Sequence, residues 1–448
     1  MGRLTPPQLL IVSFISVILI GAFLLSLPAA TAGEGRLSVV DSLFTATSAT
    51  CVTGLIVKDT GTYFSDFGKW VIFALFQAGG LGIMTFSTLF AVLLGRKIGF
   101  RETDVIQSTL DKHRILGLNK LIRYIVTITL AAEILGAAFL YLRWRAVTSW
   151  GVAETLERSV FHSVSGFCNA GFSLFSDSLT RFVADPWINL TMMALIFLGG
   201  IGFIVTMELL GLFTRKGPKR RLSFQARTVI TVSFLLIAAG AACVIFFEKD
   251  GVLKGMPWDT RILAALFQSV TARTAGFNTV DTAALSVPVL VVICALMFVG
   301  ASPGSTGGGI KTSTAAVLWG TVTGMLGNRK RVMIFDRSVP RGIIREAIVI
   351  FFLAVSWIFV FTLLLTFLEK DNPAVGGGLV RPLFEVMSAF GTVGLSTGIT
   401  GGLSSAGKFC LTLTMFAGRL GPLTLALAVA FRETKGTYVF PEETIMVG

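Results

Sequence analysis

The stretch GASPGSTGGGIKT, residues 300–312, combines glycines and small residues with a lysine and a threonine, a composition that could cradle phosphate groups. A P-loop binds phosphate through backbone N–H groups, and its lysine follows directly after the second glycine of GxxxxGK[ST]. Gly304 and Gly309 have the glycine spacing, but Ile310 stands before Lys311. A P-loop also follows a β-strand in a soluble α/β domain. The near-match is weak evidence for an ATPase, and the stretch needs another explanation.

No other set of residues predicts catalysis or a metal site. His113 and His162 are the two histidines, and neither has a nucleophile or ligand partner at useful spacing. The cysteines lie scattered in apolar sequence without a CxxC or Cys/His pattern: Cys51, Cys168, Cys243, Cys294 and Cys410. We therefore expect no enzyme, no zinc site, no disulfide framework and no covalent cofactor.

The composition is that of a membrane protein. Of the 448 residues, 53% are hydrophobic and 14% are charged, and the mean hydropathy is +0.79. Eight apolar runs approach or exceed the roughly 20 residues that a membrane-spanning helix needs: 4–33, 70–95, 124–142, 186–207, 228–247, 282–310, 347–368 and 409–431. Ala30-Thr31-Ala32 resembles a signal-peptidase site, but the first run exceeds an ordinary signal segment. We predict that it is retained as the first span.

The net charge of +13 is concentrated in three segments. Residues 95–123, 214–227 and 327–346 hold half of the Lys and Arg residues and few acidic ones, so the rest of the chain is nearly neutral. Basic loops stay in the cytoplasm. These segments and the N-terminus beside Arg3 are therefore predicted to lie on the cytoplasmic side of the plasma (inner) membrane. The basic charge is a topology signal and does not indicate a nucleic-acid partner.

The four loops that this topology places outside resemble one another. Each begins with an apolar residue and Phe, continues through small and hydroxyl residues, and ends in Gly plus Leu or Phe: LFTATSATCVTGL (43–55), VFHSVSGFCNAGF (160–172), LFQSVTARTAGF (266–277) and LFEVMSAFGTVGL (383–395). The third copy is one residue shorter between Phe and Gly. Such self-similarity indicates an internal repeat, which we assign to residues 1–95, 96–214, 215–327 and 328–448.

Each repeat is predicted to be a membrane helix, a short helix, a glycine turn and a second membrane helix. About a dozen residues at 1.5 Å each cannot cross a core of about 30 Å, so the short helix must be re-entrant or interfacial. Irregular backbone at membrane depth is tolerated where it lines water or is shielded by protein. Four such loops around a pseudo-fourfold axis would line a pore, with glycines aiming carbonyl oxygens at a dehydrated cation. The alternative is four ordinary extracellular turns.

Four motifs give the chain a resemblance to a known family. TCVTGL (50–55), CNAGF (168–172), RTAGFNTVD (273–281) and GTVGLSTG (391–398) resemble the pore-loop signatures of the Trk/Ktr/HKT superfamily of potassium transporters. The similarity covers essentially the whole chain, and the eight spans and short tail are most like the membrane subunit (KtrB) of bacterial Ktr systems. As a set of four the motifs are specific, although each alone is weak.

The resemblance implies a potassium selectivity filter. Carried over residue by residue, its members are Thr50, Cys51, Val52, Thr53, Gly54, Cys168, Asn169, Ala170, Gly171, Thr274, Ala275, Gly276, Thr392, Val393 and Gly394. In plant members a serine at the first glycine accompanies sodium selectivity, so Gly54 favours potassium here. The strict TVGYG of tetrameric potassium channels is absent, and the four loops differ from one another.

The opening stretch then has an explanation as a gate. Residues 282–328 are too long for one crossing and hold Pro303 and a glycine cluster, so we predict that the second helix of the third repeat is interrupted. By resemblance this intramembrane loop lies under the filter and gates conduction. The gate residues are Gly300, Ala301, Ser302, Pro303, Gly304, Ser305, Thr306, Gly307, Gly308, Gly309, Lys311 and Arg419. Matching glycines, Gly79-Gly80, Gly199-Gly200 and Gly418, are attributed to close helix packing rather than bending.

Three positively charged side chains predicted to lie within the membrane need hydrogen-bonding partners or water. Arg419 either faces the cavity near the gating loop, as the resemblance implies, or pairs with Glu133 or Glu208. Arg273, beside the third loop, would repel cations if it were exposed to the pathway; we predict instead that it pairs with a carboxylate behind the loop, with Asp281 as the candidate. Lys311 either snorkels or caps carbonyl groups of the gate loop.

The sequence thus predicts an all-α polytopic membrane protein with four helix–pore-helix–helix repeats around one potassium pore. By resemblance it forms a homodimer on a cytosolic ring of KtrA-type nucleotide-binding regulatory subunits, with nucleotide bound to the ring, and sodium as a family-level activator. The main alternative is a sodium-coupled, alternating-access transporter, which two inverted halves would favour. A membrane-embedded enzyme would need paired acids or a nucleophile and base, which the spans lack.

Overall fold

The protein is helical, as predicted. A computed structural model describes residues 6–33, 35–82, 118–214, 222–329, 331–376 and 378–421. Fourteen α-helices lie in these ranges: α1 (Pro6–Ser26), α2 (Val39–Thr50), α3 (Asp66–Gly80), α4 (Leu118–Val147), α5 (Val152–Cys168), α6 (Pro186–Gly200), α7 (Phe203–Thr214), α8 (Phe224–Phe247), α9 (Trp258–Thr271), α10 (Val287–Phe298), α11 (Thr312–Leu326), α12 (Arg341–Leu368), α13 (Val380–Gly391) and α14 (Ser405–Leu420). A two-stranded antiparallel hairpin, β1 (Met333–Ile334) and β2 (Arg337–Ser338), joins α11 to α12.

Three described helices are long and apolar enough to cross a membrane: Ile122–Val147, Phe224–Phe247 and Arg341–Leu368. A fourth crossing results if Pro186–Gly200 and Phe203–Leu212, which are bent by 110°, form one broken span. The apolar runs 70–95 and 409–431 begin on α3 and α14 and continue outside the described residues. The count of eight spans therefore stays a prediction, and so do the four repeat boundaries.

The helices nevertheless recur in one order. A long helix, a short helix and a second helix follow one another as α1–α3, α4–α6, α8–α10 and α12–α14. The four short helices, α2, α5, α9 and α13, have 12 to 17 residues, too few to cross a bilayer. The aromatic residue that opens each sequence motif anchors its short helix in the interior: Phe44, Phe161, Phe267 and Phe384 are at most 5% exposed.

Buried glutamates join the first and second helices in the last two triplets. Glu248 ends α8, and its Oε1 accepts hydrogen bonds from Ser286 N at 2.8 Å and Ser286 Oγ at 2.7 Å. Glu369 ends α12 and accepts from Ser404 N at 3.0 Å and Ser404 Oγ at 2.6 Å. Both serines occupy the N-cap position of the helix that follows. The same contact therefore joins the end of the first helix to the start of the second helix in both triplets.

An ion pair joins the first triplet to the last. Lys408 Nζ of α14 lies 2.7 Å from Asp41 Oδ1 of α2, and both side chains are at most 14% exposed. Replacing one partner leaves a charge with little water, so we expect Lys408→Met to lower the free energy of unfolding by about 3 kcal/mol. The measurement is the Tm of the detergent-solubilised protein. Asp41→Asn in the Lys408→Met background should restore part of the loss.

The matched control is the solvent-facing pair of Lys69 and Asp66, separated by 3.3 Å, in which the Asp66 side chain is 83% exposed. Exposed pairs contribute about 0–1 kcal/mol, so Lys69→Met should leave Tm nearly unchanged. Equal losses of Tm for Lys408→Met and Lys69→Met would contradict a special role for the buried pair.

Candidate functional site: a ring of four glycine loops

The four loops that follow the short helices meet at their glycines. A Cβ atom built on Gly54 would lie 2.9 Å from Cα of Gly171, one on Gly171 would lie 3.2 Å from Cα of Gly276, one on Gly276 would lie 3.1 Å from Cα of Gly394, and one on Gly394 would lie 3.0 Å from Cα of Gly54. These contacts close a ring in chain order. The first and third loops are therefore opposite each other, as are the second and fourth.

The backbone of each loop alternates between positive and other φ values. The ring glycines have φ of +87°, +70°, +80° and +95°. The residue two positions earlier in each loop is also left-handed, although it carries a side chain: Val52 (56°), Asn169 (59°), Thr274 (73°) and Thr392 (49°). A side chain in this region is strained and persists where the surroundings demand it. Left-handed residues separated by one position turn successive carbonyl groups toward the same side of the chain, whereas an extended strand alternates them.

A hydroxyl group on each short helix holds its loop. Ser48 Oγ donates to Leu55 O at 2.7 Å and accepts from Gly54 N at 3.1 Å. The equivalent contacts are Ser165 Oγ to Phe172 O at 2.8 Å, Thr271 Oγ1 to Phe277 O at 2.6 Å, and Gly394 N to Ser388 Oγ at 3.1 Å. All four sequence motifs contain several small and hydroxyl residues, so these particular positions do not stand out in any single motif. Their signal is a constant position, six residues before the glycine, or five in the shorter third copy.

Glycines of the second helices allow those helices to touch the ends of the short helices. A Cβ on Gly79 would lie 2.0 Å from Thr50 O, one on Gly199 would lie 1.9 Å from Phe167 O, and one on Gly418 would lie 1.9 Å from Phe390 O. At all three glycines the second helix therefore packs closely against the short helix, which is the role that the sequence favours. In the third triplet Gly300 follows the second helix, α10, which has already ended at Phe298.

Gly418→Ala is expected to disturb this packing strongly. The new methyl group would overlap a backbone carbonyl that cannot rotate away, and overpacking of this kind costs about 1–3 kcal/mol. Gly342 of α12 is the matched control because a Cβ there would meet nothing within 4 Å. Gly342→Ala should leave Tm unchanged or raise it slightly. The measurement is the Tm of each purified variant. Equal Tm values for Gly418→Ala and Gly342→Ala would contradict the packing role of Gly418.

The chain between α10 and α11, residues 299–311, lies directly against the loops. A Cβ on Gly307 would lie 2.1 Å from Thr274 Oγ1, and one on Gly308 would lie 2.3 Å from Thr392 Oγ1. This segment, called the inner loop below, therefore contacts the left-handed residues of the third and fourth glycine loops. Lys311 Nζ donates to Gly307 O at 2.8 Å. Of the two alternatives for this lysine, it therefore caps a carbonyl group of the loop.

The inner loop also replaces hydrogen bonds that α6 and α7 lose where they bend. Ser302 N donates to Gly200 O at 3.0 Å, Thr306 N to Gly199 O at 3.2 Å, and Phe203 N to Gly304 O at 3.0 Å. Gly202 at the bend has φ of +89°. The sequence favours close packing rather than bending near Gly199-Gly200. The structure has both, because the inner loop supplies partners for the broken helix ends.

Arg419 contacts the inner loop and, among the described residues, no carboxylate. Arg419 donates to the carbonyl oxygens of Thr306 in the inner loop and Gly79 of α3. It forms no ion pair with Glu133 or Glu208; Glu133 accepts from Gln77 Nε2 at 3.0 Å, and Glu208 accepts from the Ser223 amide at 2.9 Å.

The predicted pairing of Arg273 with Asp281 is wrong. Asp281 Oδ1 accepts from Ala283 N at 2.9 Å and caps the next turn. Arg273 is 7% exposed, and its Nη2 lies 3.4 Å from Gly300 O, at the start of the inner loop.

The remaining chemistry-bearing residues form no catalytic or metal site in the part of the chain that the structure describes. His162 is buried on α5, and the five cysteines are free. No group of three or more metal-ligating side chains occurs within the described ranges. His113 lies outside them. On the loop after Ser173, Arg181 Nη2 lies 2.6 Å from Asp177 Oδ1, and this hydrogen-bonded cation lowers the pKa of the Asp177 carboxyl.

The fold and the site together define a helical membrane protein whose four glycine loops converge on one ring. The comparison of sequences agrees with this class: the chain belongs to the TrkH family of cation transport proteins, whose profile matches residues 5–438. The predicted resemblance is thereby confirmed, and the family is one of transporters, not of enzymes.

Individual relatives cover the whole chain. It is 38% identical over 448 residues to "Ktr system potassium uptake protein B" of Bacillus subtilis, covering 100% of this chain and 97% of the relative. It is 34% identical over 450 residues to "Potassium/sodium uptake protein NtpJ" of Enterococcus hirae, covering 100% and 98%. Among solved structures, the potassium transporter TrkH from Vibrio parahaemolyticus matches with a TM-score of 0.69 at 21% identity, over 94% of this chain and 85% of that one. This last likeness shows the shared fold.

Proposed function

We propose that the chain carries potassium ions into the cell through the ring of four glycine loops, which acts as the selectivity filter. The observation that supports this most is the joint geometry of the loops: four glycines in mutual contact, each preceded by a second left-handed residue. Carbonyl oxygens turned to a common side can replace the hydration shell of a dehydrated monovalent cation. Relatives named as potassium uptake proteins over the full length support potassium as that cation.

The inner loop is the proposed gate. It contacts Thr274 and Thr392 of the filter loops, and Arg419 holds it through Thr306 O. In this position it would block the path below the filter, and the positive charge of Arg419 would add a barrier to cations. Opening then requires the loop to move away from the axis while its neighbours keep their fold.

The wider assembly follows from the family resemblance. The N-terminus and the basic segments 95–123, 214–227 and 327–346 would face the cytoplasm from a plasma membrane. There they would form the docking surface for a KtrA-type nucleotide-binding ring beneath a homodimer. Nucleotide would bind the ring, and sodium would act as an activator of uptake.

The second candidate is a sodium-coupled, alternating-access transporter. The 110° bend between α6 and α7 favours it, because discontinuous helices are typical of secondary transporters. The name of the Enterococcus relative also includes sodium. This mechanism predicts that potassium flux depends on a sodium gradient, whereas a filter predicts potassium flux down its own gradient.

Ion-substitution flux in proteoliposomes tests the proposal. We expect the purified protein with its ring partner to take up K⁺ and Rb⁺ down their gradients without any Na⁺ gradient, and to carry much less Na⁺. Uptake that stops when the Na⁺ gradient is removed would favour the second candidate. No K⁺ or Rb⁺ uptake under either condition would overturn both.

A further inference from the structure

Each short helix carries a buried polar residue at the same distance from its ring glycine. The position lies nine residues before the glycine, or eight in the shorter third copy, and its occupants are Thr45, His162, Gln268 and Glu385. All four are at most 2% exposed. A buried polar side chain is costly unless it is hydrogen-bonded. What each one binds therefore distinguishes the four loops from one another.

In the second loop this residue binds the outer end of the loop. His162 Nε2 lies 2.9 Å from Ser173 Oγ, and Ser173 is the second residue after Gly171. His162 Nδ1 lies 2.8 Å from Arg158 O. A carbonyl oxygen can only accept, so in the neutral imidazole Nδ1 carries the proton and Nε2 accepts from the Ser173 hydroxyl. The imidazole also stacks on Phe175 with ring centroids 4.5 Å apart, which fixes its orientation.

In the fourth loop Glu385 makes the equivalent contact. Its Oε1 accepts from Ser396 Oγ at 2.8 Å, and Ser396 is the second residue after Gly394. The same oxygen accepts from Thr397 N at 2.8 Å, and Oε2 accepts from Thr400 Oγ1 at 2.7 Å. One carboxylate thus accepts hydrogen bonds from three residues of the segment that leaves the ring, Ser396, Thr397 and Thr400. Its acceptor-only character matches the donors around it.

The first and third loops lack this contact. Thr45 Oγ1 and both polar atoms of the Gln268 side chain have no hydrogen-bond partner in the described part of the chain. The second residue after Gly54 is Ile56, which has no polar side chain. The corresponding Asn278 donates through its backbone to Ser178 Oγ of the second outer loop and through Nδ2 to Val280 O. Ser48 and Thr271 still bond the first and third loops to their own helices. The additional tie to the second residue after the glycine exists in the second and fourth loops, which lie opposite each other.

We infer that His162 and Glu385 are positioning residues which hold the second and fourth loops, and that this opposite pair sets the width of the ring and hence the preference for K⁺ over Na⁺. The inference rests on the proposed function of the ring as a filter. Sodium is the smaller ion, so a ring that relaxes inward or loses its fixed oxygen spacing discriminates less well. Ties on opposite sides resist such relaxation along one diameter.

The test compares the K⁺ over Na⁺ flux ratio of matched variants in proteoliposomes with the ring partner. His162→Phe keeps the stacking and removes the acceptor, and Glu385→Gln keeps the shape and replaces an acceptor oxygen by a donor. We expect each to lower the ratio by about five- to tenfold, the size expected for one or two lost hydrogen bonds, while K⁺ is still transported. Thr45→Val and Gln268→Leu, at the untied positions, should stay within about twofold of the wild type.

Ser173→Ala and Ser396→Ala separate positioning from folding, because they remove the same contacts from the loop side without changing the helix core. Each should lower the ratio as its partner does, and His162→Phe with Ser173→Ala should be no worse than either alone. Wild-type ratios in conducting Ser173→Ala and Ser396→Ala variants would overturn the inference, as would equal losses at all four helix positions. A wild-type protein that transports no K⁺ would instead overturn the proposed function, and the inference with it.

Discussion

Gly54→Ser is expected to reduce the preference for K⁺ over Na⁺ by about tenfold or more, equivalent to about 1.4 kcal/mol. Gly54 has φ of +87°, and a Cβ there would lie 2.5 Å from Ala170 O and 2.9 Å from Cα of Gly171. The side chain must push the carbonyl that belongs to the neighbouring loop, so the oxygen spacing of the ring changes. The measurement is the ratio of K⁺ to Na⁺ flux in proteoliposomes.

Gly255→Ser is the matched control for backbone strain. Gly255 has φ of +81° but lies in an exposed turn, where a Cβ would meet nothing within 4 Å. It shares the conformational cost of a left-handed serine without touching the ring. The ratio should stay at the wild-type value for Gly255→Ser. A Gly54→Ser protein that folds and keeps the wild-type ratio would count against a filter at this glycine.

Arg419→Gln is expected to raise K⁺ flux about tenfold in the protein without its ring partner. Arg419 donates to Thr306 O of the inner loop and to Gly79 O, and hydrogen bonds from a charged donor are worth about 1.5–3 kcal/mol. Glutamine is shorter and neutral, so it removes both the anchor and the positive charge near the path. Both changes favour conduction, and initial Rb⁺ uptake measures their combined effect.

Arg143→Gln provides the control for loss of a partly buried arginine. Arg143 Nε lies 2.8 Å from Asp185 Oδ2, in an ion pair between α4 and the N-cap residue of α6. Its loss should change stability and leave flux at the wild-type level. Unchanged or lower flux in a folded Arg419→Gln protein would contradict a gating role for the inner loop.

The convergence of the four loops could be predicted because it is encoded locally and repeated. Each motif carries a Phe that is buried on the short helix and a glycine that has positive φ, so one pattern specified four similar turns. The hydroxyl residues Ser48, Ser165, Thr271 and Ser388 were available from the same alignment. They were missed because a serine among several small residues gains a distinct role only when its position relative to the glycine is compared across copies.

Features that depend on distant contacts could not be predicted. The run 186–207 is charge-free and indicates one continuous helix, yet it bends because Gly200 O and Phe203 N bind inner-loop residues about a hundred positions away in sequence. Asp281, the predicted partner of Arg273, lies eight residues after it in the chain. The short spacing instead makes Asp281 a cap for its own turn, and Arg273 faces the start of the inner loop.

The central claim is that the four glycine loops bind the transported ion, and anomalous diffraction from crystals grown with Rb⁺ in place of K⁺ tests it most directly. The account predicts a Rb⁺ peak enclosed by Gly54, Gly171, Gly276 and Gly394, coordinated by the carbonyl oxygens of the residues before them. Rb⁺ peaks confined to other parts of a protein that transports Rb⁺ would contradict it.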